Sequence, residues 1–150
     1  WGTGKYHFDA SVMITASHNP KDHNGLKISA KDVLPVGYDT GLNQLEKLVE
    51  SDKPAHVRAK GKIRKIDMKP DYLAFLNQYK EDYSGLKLSI DFSNGMAALF
   101  ANDLFGNTYV ALNEKADGSF PGHQPNPLEP ENQDQIKESV KKNQSDLGII

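Results

Sequence analysis

Leu86-Lys87-Leu88-Ser89-Ile90-Asp91, followed by Phe92-Ser93-Asn94-Gly95 and by the run from Met96 to Leu112, decides the fold. The first six residues alternate apolar and polar, the period-two pattern of a strand. Asn94-Gly95 is a turn pair. Met96 to Phe105 carries Ala97, Leu99, Phe100 and Leu104 at helical spacing, and Gly106 stops that helix. Thr108-Tyr109-Val110-Ala111-Leu112 is a second strand. Strand, helix and strand at these distances predict βαβ units, and therefore parallel strands. Upstream, Pro70 suits a first helical turn. Tyr72, Leu73, Phe75, Leu76, Tyr79 and Tyr83 then predict a helix that runs to Ser84-Gly85. Downstream, Gly118 to Pro130 is a loop holding four of the chain's eight prolines. Residues Pro130 to Asn143 predict a polar helix with Ile136 and Val140 as its apolar seam, and Leu147 to Ile150 a last strand.

The N-terminal part reads differently. Val12-Met13-Ile14 predicts a short buried strand. It ends in Thr15-Ala16-Ser17-His18-Asn19-Pro20, where Pro20 denies Asn19 helical geometry and forces a turn. Asn24-Gly25 is another turn pair, and Leu26-Lys27-Ile28-Ser29 alternates like a half-buried strand. Leu42, Leu45, Leu48 and Val49 predict an amphipathic helix. Between Lys53 and Lys69 stand seven basic residues. A solvated edge strand or linker explains them more economically than a phosphate site. Pro54 and Pro70 bracket this run and suggest a domain boundary, dividing the chain into residues 1–66 and 67–150. The expected fold is α/β: two α/β units with mixed or parallel sheets flanked by helices.

Composition excludes several functions. The chain has 150 residues, 18 basic and 20 acidic, with a net charge of −2. That balance provides no global attraction to nucleic acid or to an anionic membrane. No apolar run approaches the ~18–20 residues of a membrane-spanning helix. The absence of cysteine removes disulfides, thiol nucleophiles and thiolate zinc sites, and fits a reducing, cytoplasmic setting. The chain opens at Trp1 without an initiator Met and closes on the apolar run Leu147-Gly148-Ile149-Ile150. We therefore expect it to be a piece of a longer protein.

Ser17 is the first candidate for chemistry. It leaves a strand into a loop, where α/β sheets place their sites. A hydroxyl needs activation to act as a nucleophile. The flanks Ala16 and His18 do not make the G-x-S-x-G elbow of serine hydrolases. On its own the loop also reads as a surface turn whose Ser and Asn bond local backbone.

Thr15-Ala16-Ser17-His18-Asn19-Pro20, with Asn24-Gly25 and Lys27-Ile28 after it, resembles the active-serine signature of the α-D-phosphohexomutases. Phe120-Pro121-Gly122-His123-Gln124-Pro125-Asn126-Pro127, followed by Pro130-Glu131-Asn132, resembles a second signature of that family. Asp91 with Asn94-Gly95 resembles the strand-to-helix turn of its second domain. The resemblance implies a fragment of a four-domain enzyme, covering the end of domain 1 and most of domain 2. It implies that Ser17 is carried as phosphoserine and passes its phosphoryl between C1 and C6 of a hexose phosphate through a hexose 1,6-bisphosphate intermediate. The phosphoryl oxygen on Ser17 would ligate Mg²⁺, with the remaining ligands beyond Ile150. His18 and Lys27 would stand beside the phosphoserine as catalytic residues, and Asn19 would help position phosphate. The implied partners are the hexose phosphate and the missing domains, with no nucleic acid and no membrane. Phosphomannomutase/phosphoglucomutase chemistry is the first expectation. Phosphoglucosamine mutase and a non-catalytic sugar-phosphate-binding domain of the same fold are the alternatives. The isolated chain is expected to be inactive. The proline loop is expected to support the site rather than touch ligand, with His123 its central titratable residue.

Overall fold

The computed structural model describes residues 1–52, 59–106 and 108–150. The chain divides into two units, one of Trp1–Thr15 with Asn24–Met68, the other of Ala16–His23 with Lys69–Ile150. Lys53, Pro54 and Arg58, from the basic run, lie outside the described residues.

The first unit opens with a short helix, α1 (Gly2–Lys5). Strands β1 (Ala10–Ile14) and β2 (Leu26–Ala30) pair antiparallel, with Ala10 opposite Ala30 and Ile14 opposite Leu26. The Thr15 N–H donates to the Gly25 carbonyl at 2.9 Å and closes the hairpin end. Helix α2 (Leu42–Glu50) follows. It starts at Gly41, whose φ of +153° suits glycine. A Cβ there would also lie 2.9 Å from Val36 Cγ1.

Val12-Met13-Ile14 is a strand but not a buried one: these side chains are 57, 56 and 80% exposed. Leu45, Leu48 and Val49 on α2 are exposed as well. A sheet of two strands has too little surface to bury its own apolar side chains. Of these exposed residues, only Met13 lines the unit's open cavity of about 730 Å³, together with Trp1, Phe8, Ile28, Val33 and Met68 among others.

In the second unit, α3 (Lys69–Leu76) runs into a single 3₁₀ turn, Asn77–Tyr79. The helix expected to reach Tyr83 therefore stops early. Lys80 is extended (φ −72°, ψ 125°). Asp82 then accepts the Ser84 N–H at 2.9 Å, a local turn that competes with helix. That bond, with the Ser84 hydroxyl, holds the Asp82 carboxyl below its ordinary 3.8.

Strand β3 (Leu88–Asp91) is buried at all four positions. Helix α4 (Ala98–Phe105) leads to β4 (Tyr109–Leu112), and α5 (Asp134–Asn143), preceded by a 3₁₀ turn at Pro130–Gln133, leads to β5 (Leu147–Ile149). All three strands are parallel, in the order β4-β3-β5. Leu88, Ile90, Phe92 and Ala101 form the core. Gly148 lets α5 approach the sheet: a Cβ there would sit 2.7 Å from Val140 Cγ2. Ser89, fully buried, shares hydrogen bonds with Ser139 at 3.0 Å and Ser145 at 2.8 Å.

The chain leaves β3 toward one side to make β4, then returns to the other side to make β5. That reversal makes a topological switch point at the C-terminal ends of the strands, the place where sheets of this kind bind ligands.

Candidate functional site

Ser17 follows β1 in the loop Ala16–His23. The Asn19 N–H donates to the Ala16 carbonyl at 3.1 Å, and the His23 N–H to the Pro20 carbonyl at 3.0 Å. These two turns hold Ser17 on the outside. Its side chain is exposed, and its φ is +58°. A non-glycine residue in that region stores strain on the order of 1 kcal/mol.

His18 stands beside it, with Nδ1 at 3.5 Å from Ser17 Oγ. His18, Lys21 and His23 put three cationic or titratable side chains within seven residues, and Asp22 lies 3.8 Å from the His23 ring. An anion on Ser17 would have the His18 ring within reach as a donor. Lys27 is an exposed residue of β2, opposite Met13; it belongs to the other unit.

A second constellation gathers at the C-terminal end of β3. Asp91 accepts the Ser93 N–H at 2.9 Å and Asn113 Nδ2 at 3.0 and 3.1 Å. His123 Nε2 stands 3.1 Å from Asp91 Oδ2. Asn94 ties the neighbouring loop down: its Nδ2 donates to the Lys115 carbonyl and its Oδ1 accepts the Gly122 N–H. Asn113 and Gln135 belong to this cluster, and the sequence reading assigned neither. Their polar character was visible, but no pattern announced that residues 22 apart would share a hydrogen bond.

Residues 70–150 match the sequence family described as phosphoglucomutase/phosphomannomutase, alpha/beta/alpha domain II, and residues 1–56 match alpha/beta/alpha domain I of the same enzymes. The chain belongs to the phosphoglucomutase/phosphomannomutase family. A phosphomannomutase of Vibrio cholerae serotype O1 is 32% identical over 94% of this chain and 33% of its own length. A Xanthomonas campestris protein named phosphohexose mutases is 36% identical over 92% of this chain and 32% of its own. The crystal structure of a phosphoglucomutase/phosphomannomutase family protein from Burkholderia thailandensis superimposes with a TM-score of 0.77 at 27% identity, over 93% of this chain and 30% of that one. The chain thus spans about a third of the length of the relatives it matches. The α/β fold with parallel and antiparallel sheets agrees with the family.

Among the described residues, no three His, Asp or Glu side chains gather into a cation site. The donors present do not by themselves fit Mg²⁺. No helix of the described residues is long and apolar enough to cross a membrane.

Proposed function

We propose that this chain supplies the phosphoryl-carrying serine of a phosphohexomutase of the phosphomannomutase/phosphoglucomutase type. The observation that carries the reading is Ser17 itself, exposed and backbone-strained beside the His18 ring. Family membership supplies the substrate class, a hexose phosphate.

In the proposed reaction the bond between phosphorus and Ser17 Oγ breaks as a sugar hydroxyl oxygen bonds to phosphorus, and the hydroxyl proton passes by way of a base to the departing Ser17 Oγ. The product is a hexose 1,6-bisphosphate. The reverse step at its other end moves that phosphoryl onto Ser17 Oγ and releases the isomeric monophosphate. Such transfers rest on positioning and charge neutralisation more than on covalent chemistry. His18 would donate to a phosphoryl oxygen, Asn19 would help position phosphate, and Lys27 would supply a further positive charge for phosphate. The Mg²⁺ ion stays outside this scheme, because the described residues do not assemble its site. Division into family domains 1 and 2 near residue 66, and a cytoplasmic setting, belong to the same proposal.

The test uses the chain joined to the remaining segments that its relatives carry. Mannose 1-phosphate and glucose 1-phosphate, with a hexose 1,6-bisphosphate activator, are expected to be converted to the 6-phosphates. Ser17→Ala should lower turnover by ~10³-fold or more, as removal of a nucleophile does. Retained turnover in Ser17→Ala would overturn the proposal. Inactivity toward both sugars with an unphosphorylated Ser17 would favour the non-catalytic reading.

A further inference from the structure

The contact between His123 and Asp91 carries an inference separate from phosphoryl transfer. Both side chains are buried, at 8 and 0% exposure. His123 Nε2 faces Asp91 Oδ2 at 3.1 Å, and Nδ1 faces the Gln124 carbonyl oxygen at 2.7 Å. A carbonyl oxygen only accepts, and so does a carboxylate. A neutral imidazole has a single N–H. It would satisfy one of these oxygens and turn a lone pair toward the other. The Ser93 N–H and both contacts from Asn113 Nδ2 also point at Asp91, the donor set a carboxylate collects.

We propose that His123 is held as an imidazolium, a buried cationic clamp that fixes the proline loop to the C-terminal end of β3. The loop is gripped on both sides of the ring. Gln135 of α5 donates through Nε2 to the Gly122 carbonyl at 2.8 Å, while its Oε1 accepts from Asn113 at 3.0 Å. The ring itself holds Gln124. Among the described residues, Asp91 is the one charged side chain hydrogen-bonded to the ring. The end of β4 contributes neutral Asn113 and α5 contributes neutral Gln135. His123 is therefore a positioning residue: it acts on the shape of the loop that borders the sheet's carboxyl edge.

The test is long-range nitrogen–proton correlation on the 150-residue chain labelled with nitrogen-15 at histidine, recorded at neutral pH. His123 is expected to show protons on both ring nitrogens, and Asp91→Asn to return it to the one-proton pattern. A one-proton pattern in the unaltered chain would overturn the proposal, as would an imidazolium that persists in Asp91→Asn. If Asp91→Asn does not fold, His123→Gln gives a second measurement. Protease cleavage between residues 118 and 130 is expected to rise severalfold, and unchanged cleavage would contradict the clamp.

Discussion

β1 and β3 are short strands of similar appeal on paper, yet one lies open and the other is sealed. Val12, Met13 and Ile14 are mostly exposed, whereas Leu88, Ser89, Ile90 and Asp91 are all buried. The difference is one of neighbours. β3 has a parallel strand on each edge, and the core cluster and α5 pack against it. β1 has one antiparallel partner and an open cavity. Strand identity is a local property, while burial depends on how many layers the rest of the chain brings up.

The sharpest way to break this contrast is to truncate one side chain in each strand. Ile90→Ala should cost about 2–5 kcal/mol, the range for large-to-small changes at buried sites. Val12→Ala should cost less than about 1 kcal/mol. Urea unfolding of the two variants checks both, and equal losses would mean that β1 is as enclosed as β3. Glycines sharpen the comparison next. Gly148→Ala forces a Cβ against Val140 and Ile136 and should cost about 1–3 kcal/mol by overpacking. Gly85→Ala meets nothing within 4 Å and should stay within about 0.5 kcal/mol.

The smallest effect concerns Tyr109 on β4. Desolvation first, then the hydrogen bond to Glu114 and the charge on Glu114, push its phenol above the ordinary 10.0. The raised value means that this contribution to stability is complete below pH 10 and is lost as pH rises through the folded-state value. Glu114→Gln should bring the phenol back toward its ordinary value in a phenolate absorbance titration. No change would show that Glu114 has no influence.

Much of the second unit is legible in its sequence. The stop at Gly106 and the seam of Ile136 and Val140 are local signals that the structure keeps, whereas the strand expected over Leu86–Asp91 starts at Leu88 and buries its polar positions along with its apolar ones. The helix beyond Leu76 was misjudged because a side-chain turn at Asp82 and Ser84 outcompetes apolar spacing. The exposure of Val12–Ile14 was illegible because burial is set by residues far along the chain. Ser17 stands as a candidate on the proline that bends its loop and on the motif around it. The cluster at Asp91 was not legible, since Asn113 and His123 lie 22 and 32 residues from Asp91 and meet it only through the parallel sheet and the proline loop.

The central claim is that Ser17 stores a phosphoryl group, and peptide-level mass spectrometry tests it most directly. The chain joined to its remaining segments would be incubated with a hexose 1,6-bisphosphate, digested and sequenced. One phosphate is expected on the peptide carrying Ser17, absent from Ser17→Ala and discharged when a hexose monophosphate is added. An unmodified Ser17 in a protein that interconverts hexose phosphates would contradict the account.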